Sequence, residues 1–494
     1  MEQLRDLVRQ AVADGDLTTT APASRIRSYL RGRGLRCTPV QSRQLRDQLR
    51  PPRGAADTFG RRLTAARLAR GLTQCELARI ADCSESYLSY LEADARSPSP
   101  RLLTALAEAL RREPEWLRSG EESPATRRIT STLQKAWAAF HAADWQALDR
   151  HVAQLLDGDP GRPLHHGEQE TAALLRGRAY CATGRDLEAI DLLTPLVEDV
   201  VKGGSDVSPV LLGQGYVRAL INTADGHVAA LAHAWMVGQQ LLAAAPSTRD
   251  DDWWRLAATL MGIHFATSPM DLAAAQGEWW LTELRREGED VHPSGAAALH
   301  WNLALTDIQR GDLGQALGRI TTALDLQDSS RYPGDAARLQ MVYGGMLARA
   351  GGRGTTQAVQ VLESCRDALV KHGYHGDRTA WTLIRARAAI AAQNLTQALV
   401  LLDELVSSET TDDTDKVDAW ISLAECFGLI GRRVDVLDAL REAGSLLSRS
   451  PMGAPHARQW RALGDLWSDI GDGESAATAY RQALDLMHVS RGIR

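Results

Sequence analysis

Apolar residues recur every three to four positions, segment after segment, from about residue 127 to 490, and Gly, Asp, Ser and Pro punctuate the gaps. Period-two alternation persists nowhere, which argues against a sheet. The expected fold class is all-α. A shorter helical unit precedes the array at residues 57–118, and residues 119–125 (SGEESPA) between the two read as a linker. Residues 1–56 form a preamble that ends in a second break, Pro51-Pro52-Arg53-Gly54.

Within residues 57–118 the punctuation is specific. A first helix carries Leu63, Ala66 and Leu68 and stops at Gly71. Thr73 is a natural N-cap, and Glu76 three residues on completes a capping box, so a second helix runs from Gln74 to about Ile80. Ala81-Asp82-Cys83 makes a tight turn. Ser84 then caps a third helix with Leu88 and Leu91 inward, and a fourth starts near Pro100. Two short helices joined by a three-residue turn, the second exposing small polar residues at its N-terminus, have helix-turn-helix geometry.

The stretch LTQCELARIADCSESYLSYLEADARSPSPRLLTALAEAL resembles the phage-repressor-like (XRE-type) helix-turn-helix family, with Ala95 standing where that family usually has Gly. The resemblance implies double-stranded DNA as a partner and a homodimer, since one such domain reads one half-site. It implies that Gln74 bonds a phosphate or adjacent base, that Ser84, Glu85, Ser86 and Tyr90 face base edges, and that Arg96 meets phosphate. Ser can bond several bases and Glu accepts from cytosine N4. Tyr87 reads as packed. The same hairpin could serve packing or dimerisation alone, and its near-neutral charge leans that way, but the match along the whole motif outweighs it.

The long array repeats itself. Trp460, Leu463-Gly464, Trp467, Ala476, Tyr480 and Ala483 share a register with Trp420, Leu423-Ala424, Phe427, Gly431 and Leu440, about 40 residues earlier. Leu303-Ala304, Gly311, Ala316, Ile320 and Ala323 keep it, and Gly177, Tyr180, Gly184, Ala189 and Leu193 keep it more loosely. Small residues let paired helices approach, large ones fill the seam, and Gly closes the turn. These units resemble tetratricopeptide repeats, so residues 127–490 are expected to form an α-solenoid of nine helix pairs with a concave groove. The repeat register turns Trp301, Asn302, Glu425 and Arg461 toward that groove, where the Asn302 amide could bond a peptide backbone. For each of the four, an ordinary solvated or interrepeat position is the favoured alternative.

Charge separates the parts further. The chain carries −6 overall, yet residues 1–56 hold 11 Arg against 5 acids (+6) and residues 57–118 hold 10 Arg against 9 acids (+1), leaving −13 for the rest. A basic end on an acidic body suits contact with phosphate at that end. The arginine-rich segment 24–53 could add phosphate affinity, with Arg31-Gly32-Arg33 in a narrow minor groove, or could form a solvated helical hairpin across 22–31 and 39–49. The six cysteines are scattered and form no CxxC pair, so neither a disulfide framework nor a zinc site is expected. His165-His166, His372 and His375 lack companions at ligand spacing, so no metal is expected. Of the pairs Trp253-Trp254 and Trp279-Trp280, one member of each belongs in a seam and the other could line a pocket. The absence of Walker, GxSxG, HExxH and Rossmann signatures points away from an enzyme and from a bound cofactor. Lacking a membrane-length apolar run or signal core, the chain reads as cytoplasmic, with no membrane partner.

A helix-turn-helix followed by tetratricopeptide-like repeats resembles the peptide-pheromone receptors of Gram-positive bacteria and related bacterial regulators. That resemblance implies a transcriptional regulator whose repeats bind a peptide, small-molecule or protein effector that controls DNA binding. The competing expectation is an interaction scaffold merely tethered to DNA by its helix-turn-helix.

Overall fold

The computed structural model describes residues 58–489 except 159–160, 225–226, 247, 268–269, 328, 330–331 and 450–453, together with Val8, Ala11, Ile26, Tyr29 and Leu30. Those five early positions are helical, and Val8, Ala11, Ile26 and Leu30 are buried. The Arg31-Gly32-Arg33 segment, the helix expected at 39–49 and the break at 51–54 lie outside the described residues. Every regular element among the described residues is a helix, so the all-α expectation holds. None of them is long and apolar enough to cross a membrane. The chain divides into two compact units, residues 1–130 with 160–165, and residues 131–159 with 166–494.

The first unit contains α1 (Phe59–Ala69), α2 (Gln74–Ile80), α3 (Glu85–Glu92), α4 (Pro100–Ala109) and α5 (Pro114–Ser119). Their shared core is Leu63, Ala66, Leu77, Leu88, Leu91, Leu106, Leu110 and Leu117 with small alanines between. Leu68, carried by the same helix as Leu63 and Ala66, is 51 % exposed. At 100° per residue it lies about 140° around the helix from Leu63, beyond the buried stripe. The fifth helix was not separable in the sequence. It buries Leu117 completely, and Arg62 Nε donates to the Leu117 carbonyl at 3.0 Å, tying α5 back to α1. The SGEESPA stretch is held by Glu113, whose carboxylate accepts from the Ser123 backbone N–H (3.1 Å), from Thr126 and from Arg162 (3.0 Å).

The second unit is a run of helical hairpins. From Ser131 on, α6 (Pro124–His141) belongs to it and pairs with α7 (Trp145–Leu156), followed by α8 (His166–Ala182) with α9 (Asp186–Val201) and α10 (Pro209–Thr223) with α11 (Val228–Ala244). Next come α12 (Asp251–Thr267) with α13 (Met270–Glu287), α14 (Pro293–Arg310) with α15 (Leu313–Leu326), and α16 (Pro333–Ala350) with α17 (Arg353–His372). The last are α18 (Asp377–Ala391) with α19 (Leu395–Ser407), α20 (Asp413–Ile430) with α21 (Arg433–Arg449), and α22 (Ala454–Asp469) with α23 (Gly473–Val489). Gly311 and Gly431 end α14 and α20 in the left-handed region (φ 86° and 82°), as the repeat register requires of its turn glycines. The small position works as expected too: a β-carbon on Gly464 would lie 2.7 Å from the Tyr480 ring across the hairpin seam. A long-range contact closes this unit on itself. The His375 N–H donates to the Ala182 carbonyl at 2.8 Å and Trp145 Nε1 to the His372 carbonyl at 3.3 Å, so the loop between α17 and α18 packs on the first two hairpins.

Candidate functional site

In the first unit the hairpin α2–turn–α3 is fixed by local chemistry. The Thr73 N–H donates to Glu76 Oε2 at 2.7 Å, and the Glu76 N–H returns to Thr73 Oγ1 at 3.2 Å. The Thr73 N–H and the Thr73 hydroxyl, which donates to Glu76 Oε2 at 2.8 Å, hold the Glu76 carboxyl below its ordinary pKa. Asp82 makes the turn at φ 53°, and Ser84 Oγ accepts from the Tyr87 N–H at 3.2 Å to start α3. After α3 the left-handed position is Asp94 (φ 55°), not Ala95, so the departure at Ala95 costs no backbone strain. Asp94 Oδ1 also accepts from the Gly60 N–H at 2.6 Å, which binds α1 to the end of α3.

Beneath the hairpin lies one nearly dry ion pair. Arg67 Nε donates to Glu92 Oε1 at 2.6 Å and Nη2 to Oε2 at 3.1 Å, with side chains 11 % and 8 % exposed. Gln74 Nε2 donates to Glu92 Oε2 at 2.7 Å. Burial pushes the Glu92 carboxyl up, but its bonds to Arg67 and Gln74 outweigh that and bring it below the ordinary value. Gln74, expected at a phosphate or base, thus has its amide nitrogen engaged inside the domain.

With Leu88 and Leu91 inward, α3 presents Glu85, Ser86 and Tyr90 to solvent beside Ser84. The spacing adds Ser89, one turn on from Glu85 and Ser86, which the sequence reading passed over although its helical phase marks it. Arg96 lies 5.7 Å from the Tyr87 ring and 5.6 Å from the Tyr90 ring, so the two tyrosines brace its guanidinium. Tyr87 is half-buried and donates its hydroxyl to the Ser97 carbonyl at 3.2 Å.

In the second unit, α8, α10, α12, α14 and α16, the first helices of successive hairpins, face one cavity that opens to solvent. Trp301 and Asn302 line it, whereas Glu425 and Arg461 lie on exposed surface outside that lining. Asn302 Nδ2 donates to the Ala258 carbonyl (3.1 Å) and the Ala298 carbonyl (2.9 Å). Its two N–H groups therefore serve the helices, and its side-chain oxygen is the group left to accept.

The charged lining was not foreseen. Arg178, Arg218, Arg255 and Arg338 converge from four helices onto Tyr374 and Asp335. Arg255 reaches Asp335 at 2.5 Å and Asp252 at 3.4 Å, while Arg338 pairs with Asp335 and lies 3.7 Å from Asp377. Burial works to raise the Asp335 carboxyl, but Arg255, Arg338 and Arg218 bring it down to about 2. Arg218 and Arg338 lie 4.4 and 4.5 Å from the Tyr374 ring centroid. Burial would raise that phenol, yet Arg218, Arg178 and Arg338 leave it below its ordinary value.

The tryptophan pairs divide as expected between seam and surface. Trp254 and Trp280 are buried, Trp253 is half-buried and Trp279 is exposed; all four edge an open depression with Arg249, whose guanidinium lies 4.9 Å from the Trp253 ring.

Residues 63–117 match the family model described as Helix-turn-helix. This segment is a helix-turn-helix DNA-binding domain. No curated protein matches the chain. Among solved structures, PlcR of Bacillus thuringiensis in complex with the peptide PapR7 and DNA aligns at 14 % identity over 66 % of this chain and 99 % of its own, with a TM-score of 0.30. The quorum sensor NprR from B. thuringiensis, in its apo form, aligns at 15 % identity over 73 % and 99 %, with a TM-score of 0.43. A Rap protein complexed with Competence and Sporulation Factor aligns at 11 % identity over 75 % and 100 %, with a TM-score of 0.48. At these identities and scores no functional residue is carried from them to this chain.

Proposed function

We propose that this chain, through the helix-turn-helix domain at residues 63–117, is a sequence-specific transcriptional regulator whose helical-repeat unit binds an effector that controls DNA binding. The observation that carries the reading is the polar stripe of α3: Ser84, Glu85, Ser86, Ser89 and Tyr90 stand exposed on a short helix whose other face is fixed by Leu88 and Leu91. A helix held this way offers several hydrogen-bonding side chains to base edges without disturbing the core. Arg96, braced by two tyrosines, suits a phosphate. The amphiphilic cavity of the repeat unit supports the effector half, since it has the mixed apolar and polar lining of a ligand site. The PlcR structure holds a peptide and DNA. A peptide is accordingly one effector class to test, beside small molecules and proteins.

The test enriches a random duplex library on the full-length protein across a salt series. The best duplex is then compared with Glu85→Ala and Ser86→Ala, which touch only exposed side chains. A convergent half-site, lost in both variants, is the expected result. Enrichment of no sequence, with equal salt-sensitive retention of all duplexes, would leave the domain a non-specific tether and favour a scaffold. Gln74→Ala is the wrong probe, because it also removes a bond to Glu92.

A further inference from the structure

Carboxylates in the repeat unit's cavity are fewer than guanidinium groups, and they are unevenly shared. Asp335, Asp252 and Asp377 are all turned to Arg255 and Arg338. Among the described residues, Arg178 and Arg218 make no hydrogen bond and no ion pair with any protein carboxylate; their neighbours are the rings of Phe140 (5.4 Å) and Tyr374 (4.4 Å). Asp335 is the carboxylate whose charge acts on Arg218, but its bonds go to Arg255 and Arg338, and the Asp186 oxygens accept from Asn222 Nδ2 at 3.2 Å. Arg178 is 7 % exposed, and its buried Nε has no acceptor. A buried guanidinium without an acceptor is costly in a folded protein, and Arg178, with the half-buried Arg218 lining the same cavity, sets a standing demand for negative charge.

A second group points the same way. Trp301 Nε1 is a buried donor without a partner, on the same lining. Guanidinium and indole N–H groups can only donate. Their unmet capacity therefore selects an acceptor-rich, anionic group, while the Trp301 ring, Ile221 and Leu305 offer an apolar seat beside it. Arg178 is placed by its surroundings: a β-carbon on Gly215 of α10 would lie 2.7 Å from Arg178 Cδ, so only glycine lets the side chain reach past that helix.

We infer that this cavity is a receptor site for a small organic anion, its carboxylate or phosphate held by Arg178 and Arg218 and its aromatic or apolar body resting against Trp301 and Leu305. The inference deepens the effector half of the proposed function and rests on it for its regulatory purpose. Carboxylate and phosphate share the required chemistry, and matched probes separate them.

The experiment is calorimetric titration of the full-length protein with phenylacetate, phenyl phosphate, inorganic phosphate and, as the opposite charge on the same body, phenethylamine. One aromatic anion should bind, and the tighter of the two names the group. Phenethylamine and inorganic phosphate should bind at least about tenfold more weakly, and Arg218→Gln and Arg178→Met should each weaken the anion by about tenfold or more, the range of a charged hydrogen bond. Gly215→Ala keeps every guanidinium but displaces Arg178, so it too should weaken binding. Circular dichroism checks that each variant is folded. Absence of binding by both aromatic anions at millimolar concentration would overturn the site, as would equal binding of phenethylamine, or wild-type affinity in all three folded variants. Inorganic phosphate binding as tightly as phenyl phosphate would overturn the apolar seat. DNA affinity is read on the same preparation: anion binding that leaves it unchanged removes the regulatory coupling and keeps the site. Selective DNA binding with no anion binding removes the site alone.

Discussion

Glu92→Ala should strongly destabilise the DNA-reading domain while sparing the repeats. Glu92 accepts two charge-assisted bonds from Arg67 and a third from Gln74, with both members of the ion pair about nine-tenths buried. Removing it strands the Arg67 guanidinium with the Leu72 carbonyl as its remaining acceptor, at 2.8 Å. Breaking a buried pair from one side costs about 3–5 kcal/mol. A domain of about 60 residues has roughly 3–9 kcal/mol in total. Amide exchange in the intact chain reads the loss directly. At 1.4 kcal/mol per tenfold, protection over α1 to α5 should fall roughly 10²- to 10⁴-fold while that of α8 to α23 stays unchanged. Glu92→Leu combined with Arg67→Met should recover most of the loss, because the desolvated charge then disappears along with its partner. A fall of less than about tenfold, or a double variant as weak as the summed single ones, would refute this account of the domain's stability. The pH dependence follows from the same contacts. The folded carboxyl titrates below its ordinary value. Its stabilisation is therefore complete above the unfolded value of about 4.3 and is lost as pH falls through the lower folded value.

Three further outcomes follow from single contacts. Gly60→Ala would place a β-carbon 2.3 Å from the Glu92 carbonyl oxygen, so α1 must move off α3, and calorimetry should show a cost of about 1–3 kcal/mol confined to the first unit. Without ligand, Arg178→Met should leave the repeat unit as stable or more stable by up to about 3 kcal/mol in thermal unfolding, since it removes an uncompensated charge; a loss beyond about 1 kcal/mol would mean that the guanidinium serves the fold. Burial pushes the Cys181 and Cys365 thiols up to about 11, so in native protein at pH 8 iodoacetamide followed by peptide mass spectrometry should label exposed Cys75 well ahead of them.

The sequence by itself determined what local physics determines. The Thr73–Glu76 box, the Ser84 cap and the 3.6-residue phase of Leu88 and Leu91 each act within one or two turns, and all stand where the pattern put them. The turn glycines and small seam residues likewise marked hairpins such as α14–α15 and α20–α21. The phase of α14 was enough to bring Trp301 and Asn302 to the inner cavity. It could not tell that the Asn302 amide N–H groups would be taken by neighbouring carbonyls, because the Ala258 carbonyl belongs to another hairpin.

What only the tertiary structure decided is the balance of charge. Arg67 and Glu92 lie 25 residues apart on different helices, and no periodicity distinguishes them from solvated residues of the same kind. Arg178, Arg218, Arg255 and Arg338 come from four separate hairpins and meet because the loop carrying Tyr374 returns to the start of the unit, where His375 bonds Ala182. A helix's apolar stripe is a local property read from spacing. Whether an arginine in that helix finds a carboxylate depends on which distant segments converge on it and on how much water they exclude, and both are fixed only when the hairpins close around the cavity.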